Sequence, residues 1–66
     1  MRIEKTVEFI DMPHDAQQEC SQEAHNYSYI RVYLKGHNDY YPKTIKWLLE
    51  NGACLEDKSV LVLISW

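Results

Sequence analysis

Hydrophobic and polar residues alternate along this chain with two different periods, and the changes of period divide it into five segments. Residues 59–66, SVLVLISW, hold six large apolar side chains in eight positions, directly after the charged turn Glu56-Asp57-Lys58. Such a short run, with Val60, Val62 and Ile64 β-branched, reads as a strand buried on both faces. At roughly 1.5–3 kcal/mol per fully buried large side chain, it is the strongest single source of folding energy. Residues 2–10 alternate, with Ile3, Val7 and Phe9 on one side together with Lys5, and Arg2, Glu4, Thr6 and Glu8 on the other. That pattern predicts a half-buried edge strand.

Residues 11–25 change to a period near four, with Met12, Ala16, Cys20 and Ala24 forming a thin stripe of mostly small residues. Asp11 as a cap, Pro13 in a first turn and the run AQQECSQEA predict a helix here. Residues 26–35 return to period two: Ser28, Ile30, Val32 and Leu34 face a core, and Tyr27, Tyr29, Arg31, Tyr33 and Lys35 face away. Gly36-His37-Asn38-Asp39 then breaks the strand. Residues 41–51 predict the best helix, with Pro42 in its first turn and Asn51-Gly52 as a left-handed stop. Tyr41, Ile45, Leu48 and Leu49 form its inward stripe, Lys43, Lys46 and Glu50 point outward, and Tyr40 and Trp47 share its flank.

The order strand, helix, strand, helix, strand points to an α/β (α+β) two-layer domain. It would be a three-stranded sheet with the helices on one face and the final strand central, because that strand alone is apolar on both sides. An order β-β-α-β, without the first helix, is the alternative. Sixty-six residues accommodate one small domain, residues 1–66, with little core to stabilise it.

Composition narrows the function classes. The net charge of −3 is mild and unevenly placed. Acids dominate up to Asn26, Arg31, Lys35, Lys43 and Lys46 make the middle basic, and Glu50, Glu56 and Asp57 turn the tail acidic again. This balance disfavours a general nucleic-acid binder. Cys20 and Cys54 are too few for a disulfide framework, and MRIEKTVEF carries no apolar signal region, so the expectation is a cytoplasmic protein with reduced thiols. No apolar run approaches the ~20 residues of a membrane span.

No chemistry-bearing motif stands out. His14, His25 and His37 with Cys20 and Cys54 offer neither CxxC nor HxxxH, and there is no nucleophile elbow, phosphate loop or paired-carboxylate motif. The expectation is a non-enzyme without metal or cofactor.

Two surfaces remain. Tyr27, Tyr29, Arg31, Tyr33 and Lys35 would stand in one row, which helices on the opposite face would leave bare; exposed aromatic patches mark binding or self-association. Asp11, Asp15, Glu19 and Glu23 recur every four residues, about 6 Å apart on a helix, close to the spacing of phosphates along a nucleic-acid strand. The partner-binding candidates are therefore Tyr27, Tyr29, Arg31, Tyr33, Lys35, Asp15, Glu19 and Glu23.

The run WLLENGACLEDK resembles the second-helix ending of an ankyrin repeat, but the repeat's threonine-proline-leucine-histidine opening does not precede it. A helix ended by glycine accounts for that likeness, since a solenoid needs several stacked repeats. In general character, a small acidic aromatic-rich chain is similar to phage-encoded inhibitors of host defence, including anti-CRISPR and anti-restriction proteins. The expected function is a protein-binding inhibitor or modulator that docks on a larger protein or complex, with a homodimer as a further partner state. The alternative is a single-stranded nucleic-acid module using the tyrosine and arginine face.

Overall fold

A computed structural model describes residues 4–34 and 39–64. Arg2, Ile3, Lys35, the Gly36-His37-Asn38 break and Trp66 lie outside them. The chain runs β1 (Glu4–Glu8), a single 3-10 turn (Phe9–Asp11), α1 (His14–Asn26), β2 (Tyr29–Val32), α2 (Pro42–Glu50) and β3 (Ser59–Leu63). This is the expected order with both helices present. The sheet order is β1-β3-β2, so the final strand is central, as its apolar composition requires. β1 pairs with it in parallel, with Val7 opposite Val62, and β2 pairs with it antiparallel, with Ile30 opposite Val62 and Arg31 opposite Leu61.

Register settles which residues share a face. Lys5, Val7, Ile30, Val32, Val60 and Val62 point to one side; Glu4, Thr6, Glu8, Tyr29, Arg31, Ser59, Leu61 and Leu63 point to the other. The first side meets the helices and forms one core with Ala16, Cys20, Ala24, Leu48, Phe9 and Met12. Val32, Val60, Val62 and Leu48 are fully buried there, and each contributes about 1.5–3 kcal/mol of apolar transfer energy. Lys5 would be costly on this face, but its stem runs out to the end of α2, where Nζ donates to the Asn51 carbonyl at 2.8 Å. An ammonium at a helix C-terminus is well placed against the helix dipole. Gly52 follows with φ 102°, the left-handed stop that Asn51-Gly52 predicts.

Several local expectations need correction. α1 begins at His14, not Asp11, because Pro13 forces Met12 into extended backbone and is itself extended (φ −66°, ψ 159°). Asp11 makes no cap; it closes the 3-10 turn. That turn is tied to α1 by Gln17, whose Nε2 donates to the carbonyls of Phe9 at 3.1 Å and Met12 at 2.9 Å. Ser28 is exposed just before β2, and it is its carbonyl that matters, accepting from the Ile64 N–H at 2.9 Å. In α2 the deeply buried residue beside Leu48 is Thr44, whereas Leu49 is exposed and Tyr40, ahead of the helix, is 83% exposed.

The two helices meet through the small stripe of α1. Ala16, Cys20 and Ala24 are buried and let α2 come close. Glu19 then caps α2 from outside it. One carboxylate oxygen accepts the Lys43 N–H at 2.9 Å, and the other accepts the Thr44 N–H at 2.8 Å and the Thr44 hydroxyl at 3.0 Å. These are orphan donors of a first turn whose own N-cap, Tyr41, provides no side-chain bond. Thr44 Oγ1 also lies 3.6 Å from the Cys20 sulfur, a contact in which either atom can be the donor. One turn further along α1, the Tyr41 hydroxyl donates to Glu23 Oε1 at 3.0 Å.

A candidate docking face on the open side of the sheet

Among the described residues no helix covers the second face of the sheet, and its side chains fall into three columns. β1 contributes Glu4, Thr6 and Glu8; β3 contributes Ser59, Leu61 and Leu63; β2 contributes Tyr29 and Arg31. Tyr33 continues the β2 column by parity and is half exposed, as is Tyr29, at 50% and 54%. Tyr27, before the strand, is also exposed. The rows read Glu8, Leu63, Tyr29 at one end and Thr6, Leu61, Arg31 in the middle. The face is therefore acidic along one edge, apolar along its centre, and aromatic with a cation along the other.

One end of this face is closed by its own polar groups. Arg31 Nε lies 3.0 Å from Glu4 Oε1, and the same oxygen accepts from the Ser59 hydroxyl at 3.1 Å. The guanidinium thus reaches across β3, which explains why Ser59 is fully buried on a face without a helix. The Nε–H does not align on the carboxylate, so the contact is a close charge pair rather than a linear hydrogen bond. Partly exposed pairs of this kind contribute about 0–1 kcal/mol. Leu61 and Leu63 remain half-buried beside it. Along β2, an open groove of about 350 Å³ is lined by Glu23, Tyr27, Ser28, Tyr29, Ile30 and Arg31.

The acidic candidates end up elsewhere. Asp11 lies in the 3-10 turn, outside α1, and the Asp15 carboxylate accepts the N–H of Ala16 in its own helix. Glu19 and Glu23 are engaged with α2. The four acids do not stand as one exposed line, and the candidates divide: Tyr27, Tyr29, Arg31 and Tyr33 gather at β2, while Asp15, Glu19 and Glu23 lie on α1. Lys35 falls outside the described residues. Sequence pattern overlooked Thr44, because a threonine in a helix carries no sign that a remote carboxylate will receive it. It also overlooked Ser59 and Glu4, whose roles depend on strand register.

Chemically reactive groups are scattered. Both cysteines are free thiols, Cys20 buried and Cys54 exposed. Burial pushes the Cys20 thiol above its ordinary range, helped by the charges of Glu19 and Glu23 and opposed by its bond to Thr44. A thiol held protonated in this way is a poor nucleophile. Among the described residues, no three His, Cys, Asp or Glu side chains gather as a metal site, and no helix is long and apolar enough to cross a membrane. Comparison of the chain with protein-family models, curated proteins and solved structures finds no match.

Proposed function

We propose that this chain is a non-enzymatic binding protein that docks on a larger protein partner, in the cytoplasm, as an inhibitor or modulator. The docking surface is the open sheet face: Tyr29, Tyr33 and Tyr27 beside Leu61 and Leu63. By its size, acidity and aromatic content it belongs with the anti-defence type of inhibitor. The observation that carries the reading is an aromatic and apolar sheet face with no helix over it among the described residues. Tyrosine rings supply large contact area at little entropic cost and keep a hydroxyl for the rim of an interface. The engagement of Glu19 and Glu23 with α2 favours this face over the acidic segment as the contact.

The nucleic-acid alternative has less support. Arg31 is paired with Glu4, and Glu8 shares the same face, so stacked bases would bring their phosphates toward carboxylates. The test is capture of a defined partner by the immobilised chain, repeated with Tyr29→Ala and Tyr33→Ala variants of unchanged circular dichroism. Loss of capture in the variants is expected. Equal capture by wild type and both variants would remove the face from the account, and salt-sensitive binding of a labelled oligonucleotide would favour the alternative.

A further inference from the structure

The open face has a property beyond being uncovered: its columns are complementary to themselves. We infer that it is also a self-association surface, closed by a second copy of this chain across a twofold axis running along the strands between the two faces. The inference rests on the reading of this face as a docking surface, and names the occupant it accepts when no other protein is there.

The geometry follows from register. A rotation about that axis leaves rows aligned and exchanges the outer columns, so β1 of one copy stands opposite β2 of the other, and β3 opposite β3. Glu8 then meets Tyr29 of the second copy, Thr6 meets its Arg31, Glu4 meets its Tyr33, and Leu61 and Leu63 meet their own equivalents. Acceptors face donors on both flanks and leucines face leucines in the centre, each contact occurring twice, as an isologous interface requires. Carboxylates have several acceptor sites, so Glu4 and Glu8 can take a phenol proton in addition to their internal bonds. The other twofold arrangement, with the axis across the strands, opposes Glu4 to Glu8 and tyrosine to tyrosine. Like charges facing each other disfavour it. Sheets packed in this way lie about 10 Å apart with strands within about 30° of each other. The product is a six-stranded sandwich with the helices outside.

The size of the face sets the strength. Three strands about 4.8 Å apart, two of five residues and one of four at about 3.3 Å per residue, make a small patch, in the class of weak interfaces burying less than about 1,200 Å² in total. Self-association is therefore a high-concentration state that a tighter partner displaces, and it masks the tyrosines while it lasts.

Sedimentation of the full chain from about 10 µM to about 1 mM tests this, with a concentration-dependent monomer–dimer equilibrium expected in that range. Leu63→Glu, on the outer face of the sheet, should raise the dimer dissociation constant by at least about tenfold, whereas Leu55→Glu, in an exposed loop, should leave it unchanged. Thr6→Glu, opposite Arg31 of the second copy, should tighten the dimer, and Thr6→Lys should weaken it. A monomer throughout the range, equal effects at Leu63 and Leu55, or shifts of the same sign at Thr6 would each overturn the inference. Dimerisation without partner capture would instead sink the proposed function alone, and capture by a persistent monomer would sink this inference alone.

Discussion

The two faces of the sheet are made by neighbouring residues of the same three strands, yet they have opposite fates. Val60 and Val62 are fully buried beneath the helices, while Leu61 and Leu63, interleaved with them, stay partly exposed. On β2, Ile30 and Val32 are buried and Tyr29 and Tyr33 are about half exposed. Along β3 the difference does not lie in the strand, which is as apolar on one side as on the other. It lies in supply: the described residues form two α-helices, and both pack on one side. Burial, not composition, turns an apolar side chain into folding energy, so the covered face stabilises the domain and the open face is left for something else.

The contrast is sharpest in core truncation. Leu48→Ala, beneath the sheet, should cost about 2–5 kcal/mol, while Leu63→Ala on the open face should cost about 1 kcal/mol or less; urea unfolding of both variants measures the gap. Comparable losses would mean that the open face is covered in the isolated chain. The helix layer itself depends on Glu19, and Glu19→Ala should remove about 1–2 kcal/mol by leaving the first turn of α2 uncapped. Glu19→Gln, which keeps an acceptor, should lose less. An unchanged midpoint in both would mean that the cap contributes nothing.

The smallest effect is a pH dependence on the covered side. Burial, the bond to Glu23 and the charge of that carboxylate push the Tyr41 phenol from its ordinary 10 up to about 12. A folded-state value raised above the unfolded one gives stability that is complete below pH 10 and is lost as pH rises toward about 12. Tyr41→Phe should flatten that part of the stability curve, and an identical slope in wild type and variant would show that Tyr41 does not cause it.

The positions of the five elements could be read from hydrophobic period alone. So could the central place of β3, since only a strand apolar on both sides gains from having a neighbour at each edge. The small stripe Met12, Ala16, Cys20 and Ala24 was legible too, and all four are buried. The tyrosine row follows from period two, and its exposure follows from which side the helices take. Helix starts were less legible, because the restriction Pro13 places on Met12 outweighed the capping potential of Asp11.

What the chain determined by itself, then, is local: periods, stops and the chemistry each strand shows on alternate residues, all set by neighbours a few positions away. The tertiary structure alone decided where the charges go. Glu19 and Glu23 bond to residues 18 to 25 positions distant, and Glu4 to one 55 away, so no window of sequence contains both partners. Spacing made Glu19 and Glu23 look like a surface display; long-range packing made them the cap of α2 and the acceptor for Tyr41, and made Glu4 the closure over Ser59, because an acid brought close to unpaired donors is held there by their bonds.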